Sequence, residues 1–391
     1  MTDKTTRPRV VFVSSTRADW GLLSPVARKL RDGADVEVRV VATNMHLLPQ
    51  YGMTVDEIRA DGFEPLCADM SAEGTDEASR VRATAACTAA MADAFEALAP
   101  DAVVILGDRY EMLGVATAAA LMRIPIVHIA GGEISEGAVD DSLRHAITKL
   151  SSLHLTATEA YRRRVVQMGE NPATVVNTGA IGVWNTLNVP RIAAPELEKF
   201  LGINFADGPV AVVTYHPATL DRGDSPAARF SALLDALDDF PQLTCVITYP
   251  NNDANSEGII RLVEDYASRR RNVVAFKSLG MRRYLSLLGL ASVCVGNSSS
   301  GIVEVPSFGI PTVDVGIRQR GRIAAASVIH CGDSREDISR AISQALSPDM
   351  QALARSVTNP YFKECTLELM CRSIVDFVKS LPRAEKKFYD L

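Results

Sequence analysis

Apolar residues in this chain come in short unbroken runs rather than in strict alternation. In the first half the runs are RVVFVSS (9–15), VEVRVVAT (36–43), AVVILGD (102–108), IPIVHIAG (124–131), LHLTAT (153–158) and TVVNTGA (174–180). Between them lie stretches such as SPVARKLRD and EMLGVATAAALMR, whose apolar positions follow a helical period. A strand that is apolar on both sides is covered on both faces, so the series predicts parallel strands flanked by helices. The proline-bearing polar stretch VPRIAAPELEKFLGINFADG (189–208) interrupts it. A second series follows: VAVVTYH (210–216), TCVITYP (244–250), NVVAFK (272–277), SVCVGN (292–297) and PTVDVG (311–316). The repeated pattern predicts an α/β protein of two doubly wound, Rossmann-like domains facing a cleft. Their expected spans are 1–190 and 191–364, followed by an amphipathic helix at about 365–385.

Size and composition narrow the class. The 391 residues exceed one typical core, and 47% hydrophobic with 23% charged residues is ordinary for a soluble globular protein. A net charge of −6 speaks against a dedicated nucleic-acid binder. No run of ~18 apolar residues and no signal-peptide pattern is visible, so a cytoplasmic protein with no membrane partner is expected. Seven scattered cysteines without a CxxC pair read as reduced core thiols, and no ligand cluster suggests a metal.

In open parallel sheets, ligands sit beyond the carboxyl ends of the strands, so the residues there carry the chemistry. They include SSTRADWG, GDRYE, GGEISEGAVDDSLRH, YHPAT, YPNND, GNSSSG and VGIRQRGR. Neither GxGxxG nor GxxxxGK[ST] occurs, which removes the usual dinucleotide and P-loop fingerprints. GNSSSG follows a strand and opens a helix, an arrangement in which N–H groups, the helix dipole and the Ser298 and Ser299 hydroxyls suit an anion; an ordinary N-cap is the plainer alternative. Glu304, among apolar neighbours on that helix, could accept from a ribose diol or be a solvated helical Glu. Arg17 suits a phosphate or a surface pair with Asp19. Asp108 and Arg109 end a strand, where a carboxylate serves as general base or cap. Glu133, Asp140, Asp141, Arg144 and His145 cluster; Asp140 and Arg144 at i,i+4 form either a helix ion pair or a tuned carboxylate. His216 ends the first strand of the second half.

Taken in order and spacing, STRADWGLL, ILGDRYEML, GGEISEGAVDDSLRHAITKL, TYHPAT and GNSSSGIVEVPSFGIPTVDVGIRQRGR resemble the hydrolysing UDP-N-acetylglucosamine 2-epimerases of sialic-acid and related nonulosonic-acid synthesis. The resemblance covers about residues 9–325. It implies a glycosyltransferase-B fold whose C-terminal helix packs back on the first domain. It further implies a UDP-sugar substrate, UDP as product, no cofactor, and a homodimer or homotetramer. Carried over by position, Asp108, Asp140 and His216 match catalytic residues, with Arg109 and Arg144 beside them. Ser298, Ser299, Glu304 and Arg318 match nucleotide-binding positions, and Arg17 suits the leaving diphosphate. Ala130 stands where several members carry a Glu before the Gly-Gly pair, which leaves that role to Glu133, Asp140 or Asp141. The loop GGEISEGAVDD resembles the bacterial branch that includes enzymes of 2,4-diacetamido-2,4,6-trideoxy sugars in legionaminic-acid synthesis. UDP and GDP both stay open. So do a non-hydrolysing epimerase, a glycosyltransferase of the same fold and a non-enzymatic sugar-nucleotide sensor.

Overall fold

The computed structural model describes residues 7–70, 76–218, 225–250, 256–380 and 386–390. The chain folds as two compact units. One comprises the chain up to Glu133, Asp140–Ile181 and the chain from Lys363 onward. The other comprises Ile134–Val139 and Gly182–Phe362. The division after Ile181 precedes the polar interruption, which suggested a boundary at 190. Six residues inside the first stretch pack with the second unit.

The first unit holds a sheet of seven strands: β1 (Arg9–Ser14), β2 (Glu37–Thr43), β3 (Leu66–Ala68), β4 (Ala102–Leu106), β5 (Ile126–Ile129), β6 (Leu153–Thr156) and β7 (Val175–Asn177). Their spatial order is β3-β2-β1-β4-β5-β6-β7, with every pair parallel. The unbroken runs are explained by burial: Val10, Val11, Phe12 and Val13 are all buried, as are Val103, Val104 and Ile105. One face packs on the alanine-rich helices Glu77–Leu98 and Tyr110–Leu121. The helix Arg17–Asp32 starts with a capping box in which Thr16 and Asp19 satisfy each other's backbone N–H groups. The helix Thr366–Ser380 lies against it, with Lys29 paired to Glu368 at 2.7 Å and the Cys371 thiol facing Val26 O at 3.9 Å. Residues 381–385 of the expected last helix lie outside the described residues. Residues 386–390 dock on the same unit: Lys386 caps the last carbonyls of the helix Asp140–Leu150, and Lys149 lies 4.8 Å over the Phe388 ring.

The second unit holds six parallel strands: β8 (Val210–Thr214), β9 (Thr244–Thr248), β10 (Val273–Phe276), β11 (Val293–Gly296), β12 (Thr312–Val315) and β13 (Val328–Cys331). Their order is β10-β9-β8-β11-β12-β13. Both sheets are thus doubly wound. Strand order reverses between β1 and β4 in one and between β8 and β11 in the other, the places where such sheets bind ligands. The short strands β3 and β13 were not anticipated. Cys67 and Cys365 are exposed, which corrects the expectation that all seven thiols are core residues; none is disulfide-bonded. Among the described residues no helix is long and apolar enough to cross a membrane.

Candidate active site

At the reversal in the first unit, Gly107 follows β4 with φ +75° and turns the chain so that Asp108 leaves the sheet. The Nε2–H of His128 on β5 donates to Gly107 O at 2.7 Å. Burial pushes that imidazole down to about 3, against the Gly107 bond and with help from Arg144. Arg144, on the helix Asp140–Leu150, is 1% exposed. A buried guanidinium needs compensation on every side. Arg144 pairs with Asp108, donates to Asp141 Oδ1 at 3.1 Å and donates to Glu133 O at 2.9 Å. One cation therefore draws three acidic residues together. Arg144 thus makes an i,i+3 pair with Asp141, which the sequence did not single out, and a longer-range pair with Asp108. Asp140 occupies the first turn of the helix, and Glu133 is buried.

Arg109 bonds Glu111 Oε1 at 2.7 Å, and Asn44 donates to the same oxygen at 2.9 Å. Glu111 is fully buried, and its Oε2 has no hydrogen-bond partner among the described residues. Arg17 pairs with Glu57 at 3.1 Å rather than with Asp19. Asp19 instead accepts from Ser15 Oγ at 2.6 Å and Thr16 N at 3.0 Å, and burial lifts its carboxyl above the usual range although Arg109 opposes this. His46 bridges Ser14 Oγ (2.9 Å) and Thr54 Oγ1 (2.8 Å), and burial pushes it down to about 4.

In the second unit, β11 ends at Gly296 with φ +135°. A Cβ there would sit 1.9 Å from Thr214 O, so only glycine fits. Asn297 follows and is 1% exposed. Its Oδ1 accepts from His216 N at 2.7 Å, and its Nδ2 donates to His216 O at 2.8 Å. Its own carbonyl accepts from Arg318 Nη1 at 3.2 Å and Gln319 Nε2 at 2.8 Å. Ser298 is the N-cap of the helix Ser299–Val303, its Oγ accepting from Ser300 N at 3.4 Å. Ser300 is held by the half-buried Tyr284 hydroxyl at 3.0 Å, whereas Ser299 is exposed. This helix has five residues, so its dipole is smaller than expected, and Glu304 lies past its end, at the start of the 3₁₀ turn Val305–Phe308. A Cβ on Gly182 would come 2.1 Å from Glu304 Oε1, so that glycine leaves room for the carboxylate. Residues 134–139 lie along the loop after β12, with Glu136 N donating to Arg320 O at 3.2 Å.

The structure thus brings Asp108, Arg144, Asp141 and Glu133 together in one unit, and His216, Ser298 and Arg318 around Asn297 in the other. Glu111, His128, Asn297 and Gln319 were not singled out from sequence. Asn297 lies inside a quoted motif, but its partners lie far off in sequence. Residues 251–253 of YPNND lie outside the described residues. Among those described, no group of three His, Cys, Asp or Glu side chains could hold a metal ion.

A family model described as UDP-N-acetylglucosamine 2-epimerase matches residues 28–375. A Campylobacter jejuni protein named GDP/UDP-N,N'-diacetylbacillosamine 2-epimerase (hydrolyzing) is 37% identical over 322 residues, 82% of this chain and 83% of its own. An Escherichia coli protein named polysialic acid biosynthesis protein P7 is 34% identical over 384 residues, 98% of this chain and 97% of its own. Among solved structures, the UDP-GlcNAc 2-epimerase from Neisseria meningitidis bound to UDP-GlcNAc superposes with a TM-score of 0.80 at 17% identity, covering 94% of this chain and all of the other.

Proposed function

Starting from the fact that the chain belongs to the UDP-N-acetylglucosamine 2-epimerase family, we propose that it is a hydrolysing 2-epimerase of nucleotide sugars in nonulosonic-acid synthesis. The observation that carries the reading is the hold of Arg144 on Asp108, Asp141 and the Glu133 carbonyl. The reaction consumes a nucleoside-diphosphate 2-acetamido sugar and one water. It releases the free manno-configured sugar and the nucleoside diphosphate. A base takes the C2 proton while the C1–O bond breaks and its electron pair leaves with the diphosphate. The product of that step is a 2-acetamidoglucal. Water then adds at C1, and C2 regains a proton on the opposite face.

C2–H is a weak acid, so the base must be held in place and the departing charge neutralised in the same step. Asp108, held in place by Arg144, takes the C2 proton. Glu133 and Asp140 carry the remaining proton transfers in place of the Glu absent at Ala130, and His216 completes the catalytic set. Arg17 and Arg109 offer cations to the diphosphate. Ser298, Ser299 and Arg318 hold the diphosphate, and Glu304 accepts from the ribose diol. No cofactor is needed. The enzyme works in the cytoplasm as a homodimer or homotetramer.

The test is an NMR time course in deuterated water. UDP-N-acetylglucosamine and the UDP- and GDP-linked 2,4-diacetamido-2,4,6-trideoxy sugars run in parallel, the latter suggested by the name of the Campylobacter relative. Free nucleotide with a C2-deuterated manno sugar supports the reading and identifies the substrate. An epimer still bound to nucleotide transfers the chain to the non-hydrolysing class. Silence with every donor overturns the reading and leaves a transferase or a sensor.

A further inference from the structure

We infer that Asn297 is a positioning residue that sets His216 for catalysis, an inference that rests on the reaction proposed above. The ladder between β8 and β11 closes with Thr214 opposite Gly296. Asn297 N then donates to Thr214 O at 3.1 Å. Past this point the main chains part, and the Asn297 side chain takes over. Its amide accepts from His216 N at 2.7 Å and donates to His216 O at 2.8 Å. A primary amide carries the same donor and acceptor as a peptide group, so it extends the ladder by one residue. His216 precedes Pro217, which already confines it to extended backbone. With both main-chain groups held as well, the imidazole projects from a fixed base.

The two faces of Asn297 do different things. Its side chain holds His216, while its main-chain oxygen receives Arg318 and Gln319. Truncating the side chain severs the first link and leaves the second. Aspartate separates the cases further. Ionised, it accepts from His216 N but sets a lone pair against His216 O. Protonated, it donates to that oxygen and restores both bonds. Burial and the facing carbonyl raise the pKa of such an acid, so restoration falls in reach of mild acid.

The experiment uses the full chain, with Asn297→Ala and Asn297→Asp. Turnover is followed by nucleotide release, UDP binding by calorimetry and folding by circular dichroism. For Asn297→Ala we expect kcat to fall about 100-fold, the usual cost of a catalytic group displaced by an ångström, with a cooperative melt and UDP Kd within about threefold. For Asn297→Asp, kcat relative to the parent should rise at least about fivefold between pH 8 and pH 6 as the acid protonates. A kcat within twofold of the parent in the alanine variant overturns the inference. So does UDP affinity that falls in step with kcat, or a pH-independent ratio for the aspartate variant. A parent that releases nucleotide from no donor overturns the reaction itself. An active parent with indifferent variants overturns this inference alone.

Discussion

His128 and His46 make the first unit acid-sensitive in a calculable way. Both are fully buried. Their folded-state pKa values stand at about 3 and about 4, against an ordinary 6.5. Below pH 6.5 each of these imidazoles takes up a proton in the unfolded chain that the folded chain refuses, and His154 and His145, also held down by burial, act in the same direction, so stability falls as pH falls until the folded values are reached. From pH 7 to pH 5 the loss is about 2 kcal/mol per imidazole, or about 4 kcal/mol for the pair. That is a large share of the roughly 5–15 kcal/mol that holds a typical domain together. Glu170, pushed down to about 2 by His154, Lys149 and Lys386 against the cost of its burial, titrates below this window and leaves it undisturbed. The assay is urea unfolding at half-unit steps between pH 7 and pH 5, on the parent and on His128→Gln. The variant is less stable throughout, but its loss over the interval should shrink by about 2 kcal/mol. An equal loss in parent and variant would refute the assignment of the slope to His128. Because the folded imidazole stays neutral over this interval, its bond to Gly107 O, directly before Asp108, should persist for as long as the fold does.

Gly296→Ala places a methyl group 1.9 Å from Thr214 O at φ +135°, and should cost roughly 3 kcal/mol or more, read as a melting point lowered by several degrees or as insoluble protein. Asp108→Asn should abolish nucleotide release while UDP Kd stays within about tenfold, about 1.4 kcal/mol; collapse of UDP binding in a folded variant makes Asp108 a binding residue instead. Ser299→Ala removes an exposed hydroxyl and should chiefly weaken UDP binding, with an unchanged affinity counting against the diphosphate role of this turn.

The doubly wound sheets were legible because both faces of each strand are covered, which forces unbroken apolar runs such as Val10–Val13 and Val210–Val213. β3 has three residues, and β13 carries the half-exposed sequence VIHC at an edge, so neither makes such a run. The strand-end positions of Asp108, His216 and Ser298 followed from topology. Their supports did not. Asn297 grips main-chain atoms 81 residues away, and His128 reaches back 21 residues to a carbonyl. Contacts with backbone leave no pattern of residue types. The i,i+3 pairing of Arg144 with Asp141 is one of the two contacts a helix allows, and spacing alone does not choose between them. Nor does a six-residue segment that packs with the other unit carry any periodicity of its own.

The division of the chain has a consequence for its synthesis. The first unit draws on residues up to Glu133, on Asp140–Ile181 and on everything from Lys363, so its native contacts include Lys29 with Glu368 across most of the polypeptide. A ribosome delivering the protein from its amino end exposes nearly all of the first sheet long before the helix that lies on Arg17–Asp32 leaves the tunnel. Domains usually complete themselves in the order they are made. Here the order inverts: the later-translated sheet of Gly182–Phe362 has all its strands while the earlier one still awaits its last helix. Loss of the chain from Lys363 onward would therefore damage the unit that is translated first and spare the sheet of Gly182–Phe362.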